Sequence, residues 1–362
     1  MIAPHLAYFV SPHGYGHAAR SAAVMSALRR YLPLVQFEIF TQAPDWFFQD
    51  SLGGNFGYHT LMSDVGLAQK TSLVEDIPET LRRLANFLPF DQIRVEGLAG
   101  QVTQLGCRLV ICDIAPLGIA VAKAAALPAV LVENFTWDWI YEGYLAGEAR
   151  LSPYINDLRA WFAAADYHIQ TEPVCRPQPA HLTVAPVSRS SRTPAAETRQ
   201  KLGLPAQAKT VLLTMGGIPW DYNTFLGRLV DQANVYFVIP GGSERMERRD
   251  NLALLPHHSE FYHPDLVNAV DAVIGKLGYS TLAEAYHAGI PFGYILRPHF
   301  RESEKLAGYV NQHMNSVAIT AAQFESGEWL SRLPELLALP RVERRESNGA
   351  DQVAQFVVGL LN

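Results

Sequence analysis

His5–Val10 (HLAYFV) runs into Ser11–Arg20 (SPHGYGHAAR), and Ala18–Tyr31 (AARSAAVMSALRRY) carries on from it. Six mostly apolar residues ahead of Ser-Pro read as a buried strand. Gly14 and Gly16 let the backbone turn tightly and let a ligand approach closely. The Ala-rich stretch that follows is a good helix. The unit is therefore strand, glycine loop, helix. Gly14-Tyr-Gly-His-Ala-Ala19 also fits the loose dinucleotide pattern G-x-G-x-x-A. That reading wants an acid at the end of the second strand. Here the strand Val35–Thr41 (VQFEIFT) ends Phe40-Thr41-Gln42, without one.

The same alternation continues outward. Pro78–Phe87 and Asp91–Leu105 read as helices, Leu109–Cys112 (LVIC) as a short apolar strand, Ile119–Ala126 as a helix and Ala129–Val132 (AVLV) as a strand. Strands alternating with helices predict an α/β fold, a parallel sheet covered on both faces. Pro and Ser then accumulate over Glu172–Pro205, a linker signature. A second cycle starts at Lys209 (KTVLLTMGG), with a helix expected over Phe225–Asn234, strands VYFVIPGG and NLALL, a helix over Pro264–Val270 and the strand Asp271–Ile274. The tail Gly349–Leu361 is amphipathic. No fixed-period repeat is visible, which excludes solenoids and propellers.

Composition agrees. The 362 residues are 49% hydrophobic and 18% charged, enough apolar material for two cores. A net charge of −6 makes the chain a poor non-specific binder of nucleic acid. Cys107, Cys112 and Cys175 form no disulfide framework and no zinc spacing, so a reducing, cytoplasmic location is expected. The N-terminus reads as a first strand, not a signal peptide, and no apolar run reaches the roughly 18–20 residues of a membrane span.

Several constellations carry chemistry. His13 and His17 crowd the first glycine loop; they fit acid–base work near neutral pH, or simple capping of loop and helix. Asp113 ends the strand LVICD and should share a rim with His17. A carboxylate there either orients the imidazole as a general base or caps the next helix. Gly275-Lys276-Leu-Gly278-Tyr279-Ser280-Thr281-Leu-Ala-Glu284 follows a strand. Its helix start, with Lys276, suits a diphosphate, and Glu284 lies one turn inside, in reach of a ribose diol. Met215-Gly216-Gly217 is a second strand-end glycine turn that would face it. Arg297-Pro-His-Phe-Arg301-Glu302-Ser-Glu304 offers arginines and acids on a loop for sugar hydroxyls. Glu133-Asn134-Phe-Thr-Trp137 offers an amide and aromatics, either for stacking on a ligand ring or for packing. His257, His258 and His263 match no helix-face metal pair and read as a polar loop.

Taken together, these motifs resemble the GT-B superfamily of glycosyltransferases over nearly the whole chain. Gly16-His17 is similar to the loop that carries the histidine base, Asp113 in CDIAPLG to its aspartate partner, and GKLGYSTLAEAYHAGIP to the donor motif. SPHGYGHAAR, ENFTWDWIY, GKLGYSTLAEA and RPHFRESE are similar to the glycosyltransferase-like region at the N-terminus of plant L-arabinokinases. Where common transferases have a His-Gly-Gly or His-Cys-Gly turn, this chain has Gly275-Lys276-Leu277-Gly278, a charged phosphate contact.

The resemblance implies two Rossmann-like domains facing across a cleft: residues 1–187 for the acceptor, 188–345 for the nucleotide sugar, and 346–362 as a tail helix crossing back onto the first domain. It implies metal-independent, inverting transfer from a nucleotide diphosphate sugar, a UDP-sugar for example, to an acceptor hydroxyl, with no cofactor. His17 and Asp113 would be catalytic. Gly216, Gly217, Lys276, Gly278, Tyr279, Ser280, Thr281, Glu284, Arg301, Glu302 and Glu304 would bind the donor. His13, Gly14, Gly16, Asn134 and Trp137 would line the acceptor side. The implied partners are the donor and a small-molecule, lipid or glycan acceptor. The alternatives are a nucleotide-sugar epimerase of the same fold and a non-catalytic nucleotide-sugar binder.

Overall fold

The computed structural model describes residues 3–71, 73–217 and 220–361. The first half supplies β1 (His5–Val10), β2 (Gln36–Thr41), β3 (Phe56–Thr60), a hairpin of β4 (Gln69–Thr71) and β5 (Val74–Glu75), then β6 (Cys107–Asp113), β7 (Ala129–Glu133), β8 (Tyr167–Thr171) and β9 (Leu182–Val184). Apart from the hairpin they form one parallel sheet in the order β3-β2-β1-β6-β7-β8-β9. The second half supplies β10 (Lys209–Thr214), β11 (Val235–Pro240), β12 (Glu247–Arg249), β13 (Leu252–Leu255), β14 (Ala272–Lys276), β15 (Phe292–Ile295) and β16 (Ser316–Ile319). Its order is β12-β13-β11-β10-β14-β15-β16, parallel except for the β12 edge.

Each sheet has apolar cores on both faces, which is why central strands such as YFV in β1 and VIC in β6 carry no polar alternation. Parallel pairing needs crossovers, and helices supply most of them; the connections into β9 and β13 contain none. Asp91 caps the helix Gln92–Gln104 by accepting from the Ile93 and Arg94 N–H groups. Asp76 does the same for Ile77–Phe87, where Pro78 occupies the first turn. Gly275 lets β14 close on β10, since a Cβ there would lie 2.0 Å from the Thr214 carbonyl oxygen.

Several elements differ from the expectation. The helix expected over Phe225–Asn234 is only Leu226–Val230; Asn234 adopts φ 62°, which a right-handed helix does not tolerate. β14 runs two residues past Ile274, so Lys276 is its last residue. The segment expected as a loop becomes the helix Arg301–His313 from Arg301 onward.

Two contacts across the halves matter for the site. Tyr279 and Ala283, on the helix Tyr279–Ala288, pack into the core that Ala19, Ala22 and Ala23 of the helix Gly16–Tyr31 help to form. Ala350, Val353, Ala354 and Val357 of the tail helix Gly349–Leu361 enter the same core.

Candidate functional site

In each sheet the connections reverse direction beside the first strand, and such switch points open a crevice at the strand C-termini. In the first sheet the crevice lies between β1 and β6, so the glycine loop after Val10 faces Asp113. In the second it lies between β10 and β14, so Met215-Gly216-Gly217 faces Lys276-Leu277-Gly278. The two crevices meet. A Cβ at Gly217 would sit 2.6 Å from the Tyr15 ring, and one at Gly16 would sit 3.8 Å from Ser280 Oγ.

His17, in the first turn of its helix, has Nδ1 2.9 Å from Asp113 Oδ1. Asp113 is fully buried, and burial pushes its pKa up. The Arg20 guanidinium, together with the hydrogen bond from His17, outweighs that and holds it below the usual carboxylate range. Arg20 Nε is 2.8 Å from Oδ2 and Nη2 is 2.6 Å from Oδ1. Arg20 Nη2 also lies 3.3 Å from His17 Nδ1. The shorter contact, to a carboxylate, fixes the proton on Nδ1 and leaves the Nε2 lone pair free. Burial lowers the pKa of His17 despite Asp113, so the ring is neutral near pH 7.

From Arg20 the polar chain continues. Arg20 Nη1 donates to Asn134 Oδ1 at 2.6 Å, and Asn134 Nδ2 donates to Glu302 Oε1 at 2.8 Å. The polar network thus joins both halves at the floor of the cavity. Burial raises the pKa of Glu302. Lys276 lines the same cavity and makes no ion pair among the described residues. Burial, then the neighbouring Arg297 charge, brings its pKa down to about 8. The N-cap Gly278 contributes no side-chain bond, so the first N–H groups of the helix Tyr279–Ala288 have no side-chain cap.

This cavity collects His13, Gly14, Gly16, His17, Asn134, Gly216, Gly217, Lys276, Gly278, Tyr279, Ser280, Thr281 and Glu302. A second cavity shares Tyr15, Gly216, Gly217, Ser280 and Thr281 with it, and is walled by Trp46, Phe47, His257, Phe261 and Tyr262. Glu284 lines this second cavity, but both carboxylate oxygens are engaged: Arg189 at 2.9 Å and His263 Nδ1 at 2.7 Å.

Three expected residues lie elsewhere. Arg301 donates to the Trp139 carbonyl at 2.6 Å and to Glu142 at 2.9 Å, and lines neither cavity. Glu304 is exposed on the outer side of its helix. Trp137 is fully buried, a wall behind the histidines and not an open stacking surface. Sequence reasoning missed Arg20, although it stands one helical turn after His17, where side chains share a face. Arg297, expected with its loop to serve sugar hydroxyls, lines the first cavity and pairs with Glu75 at 2.6 Å. His258 stacks on Trp46 and bonds Asp50. Among the described residues no group of three or more His, Cys, Asp or Glu side chains is placed to hold a metal ion.

Two parallel α/β halves with facing switch points define the GT-B fold of glycosyltransferases. No protein-family model matches the chain. It is 26% identical over 363 residues to the L-arabinokinase of Arabidopsis thaliana, covering 97% of this chain and 34% of that protein. The chain thus spans about a third of that relative's length. It is 24% identical over 286 residues to an uncharacterized glycosyltransferase of Methanopyrus kandleri, covering 74% of this chain and 80% of that one. Among solved structures, Arabidopsis thaliana UGT89C1 complexed with quercetin superposes with a TM-score of 0.64 at 16% identity, covering 99% of this chain and 100% of that one. The same protein complexed with UDP gives 0.62 at 13% identity, covering 99% of each chain.

Proposed function

We propose that the protein is a glycosyltransferase that moves a sugar from a nucleotide diphosphate sugar to an acceptor hydroxyl, with inversion and without a metal. The observation that carries this reading is the neutral His17, buttressed by Asp113 at 2.9 Å, in one cavity with Lys276 and the open helix start at Tyr279. His17 Nε2 takes the proton of the acceptor hydroxyl. The oxygen attacks the anomeric carbon from the face opposite the diphosphate, and the bond to the diphosphate breaks with its electron pair. Lys276 and the N–H groups of the helix Tyr279–Ala288 meet the charge that develops there, a role that side chains and backbone fill in this scheme. The solved relatives support the ligand classes, since UGT89C1 is seen with UDP and with quercetin. The nucleoside would lie in the aromatic second cavity.

One observation favours a non-catalytic nucleotide-sugar binder instead. Arg20 holds both oxygens of Asp113, which leaves less of its charge to stabilise an imidazolium. A panel of UDP-sugars, assayed for UDP release with and without acceptors, separates the two. Turnover that His17→Ala abolishes supports transfer; tight UDP binding without turnover on any donor supports the binder.

A further inference from the structure

His13 faces the same cavity as His17 but carries its proton on the other nitrogen. The Leu67 backbone N–H points at His13 Nδ1 over 3.3 Å. A backbone amide can only donate, so Nδ1 holds a lone pair and the hydrogen sits on Nε2. The ring is clamped in that orientation. Trp137 meets it edge-on at 5.0 Å and 82°. Gly66, at φ +61°, approaches so closely that a Cβ would lie 2.8 Å from His13 Cβ. Burial keeps the ring neutral, and the charged and titratable groups that face it, Arg297, His17 and Lys276, act in the same direction. Among the described residues Nε2 has no hydrogen-bond partner, and the ring lines the cavity. Two imidazoles with centroids 6.5 Å apart thus present one N–H donor and one basic lone pair.

Resting on the transfer reading above, we propose that His13 is a positioning residue that donates from Nε2 to a second oxygen of the acceptor, beside the hydroxyl that His17 deprotonates. The acceptor class this fits is a vicinal diol or polyhydroxy compound. An acceptor with a lone hydroxyl leaves the donor unanswered, and a site built for a hydrogen bond discriminates against the analogue that lacks it.

Proton–nitrogen correlation NMR of the histidine side chains tests the geometry without any substrate. Expected is a neutral His13 with its proton on Nε2 and a neutral His17 with its proton on Nδ1; a cationic or Nδ1-protonated His13 at pH 7 overturns the proposal. The functional arm compares vicinal cyclohexanediol with cyclohexanol as acceptors, in wild type, His13→Gln and His13→Phe. Wild type should prefer the diol by about 10- to 100-fold in kcat/KM. His13→Gln, whose amide nitrogen replaces Nε2, should keep most of that preference and His13→Phe should lose it. UDP affinity by calorimetry should match wild type in both. Loss of UDP affinity in His13→Phe would assign the contact to the diphosphate, and equal losses for Gln and Phe on both alcohols would assign a packing role; either overturns the proposal. If no acceptor turns over in wild type, the transfer reading falls. The His13 assignment is then read from binding: the diol should move the Nε2–H resonance and cyclohexanol should not, and no movement overturns it.

Discussion

His17 and Arg20 compete for one carboxylate, and that competition sets how the site behaves when it is cut. His17→Ala should lower turnover by about 100- to 10,000-fold while UDP affinity stays near wild type. Steady-state kinetics with calorimetry checks this, and near-normal turnover would remove His17 as the base. Asp113→Asn has a second effect. It strips the fully buried Arg20 of its counter-ion, and breaking a buried pair costs roughly 3–5 kcal/mol. Its Tm should therefore fall, unlike that of His17→Ala, and the kinetic losses of the two should not add. The meeting of His17 with Asp113 was legible, because strand ends of one sheet share a rim. Arg20 was not, because nothing in an Ala-rich helix marks one arginine as buried. Asp64 was also silent in the sequence. It is buried, accepts from Ser11 Oγ at 2.7 Å, and burial brings its pKa up to about 7. A raised carboxyl pKa means the folded state holds the proton more tightly than the unfolded chain. The resulting stability is complete below the unfolded pKa near 4 and is lost as pH rises through about 7. Asp64→Asn should remove that slope, raising Tm relative to wild type at pH 8 and much less at pH 4.5. Thermal scans across that range decide it, and parallel Tm curves would show Asp64 to titrate normally.

The strand ends carry the chemistry because parallel strands all point their C-termini at one edge. Apolar runs such as VQFEIFT and KTVLLT, alternating with helical stretches, showed this much. The second-sheet motif was legible for a related reason: Gly275, Gly278 and the Ser-Thr pair punctuate a strand-to-helix turn. Its end was misplaced by two residues, because Gly275 and Lys276 are poor strand formers that only pairing with Thr214 and Ile295 keeps extended. The first turn of the helix Arg301–His313, up to Glu304, reads as a loop because Pro298 and the charges around it mimic one, whereas Leu306 and Val310 further on bury one face. Lys276 leads to a pH prediction. Its pKa of about 8 means the ammonium is present at pH 7 and lost above pH 8, so UDP affinity should fall as pH rises from 7 to 9. Lys276→Gln should bind less tightly at pH 7 and show a flatter profile; calorimetry at stepped pH reads both, and a wild-type affinity that rises with pH would exclude the ammonium as a phosphate contact. Glu284 leads to another. With Arg189 and His263 both bonded to it, Glu284→Ala leaves a buried guanidinium unpaired and should lower stability by about 3–5 kcal/mol, where Glu284→Gln should cost less. Denaturant melts compare them.

The two halves are held together by more than the Pro- and Ser-rich connection that the sequence displayed. The hairpin of β4 and β5 leaves the first half and places Leu73 in the core of the second, among Met215, Tyr222 and Phe225. Beside it, Glu75 and Arg297 pair across the halves at 2.6 Å with both side chains only 5% exposed. No motif announced this, since QKTSLVE carries a single buried leucine and no periodicity. Gln69, at the start of the hairpin, lines the cavity, so the same strap that joins the halves also walls the site. Separating the halves would expose Leu73, which costs about 1.5–3 kcal/mol, and would rehydrate a buried ion pair. Any opening of the cleft would therefore have to break the contacts of this short segment as well as those of the helix Tyr279–Ala288 and the tail helix. Leu73→Ala should weaken the closed arrangement while leaving each half's own sheet intact. Small-angle scattering should then show a larger radius of gyration for the variant than for wild type without ligand, and the two should converge when UDP is added, since ligand that binds the closed form draws the population back. UDP should also bind the variant more weakly, by the fraction of molecules that must first close. Identical scattering for the two ligand-free proteins would mean that the strap does not hold the halves, and that the contacts of the helix Tyr279–Ala288 and the tail helix with the first half are sufficient alone.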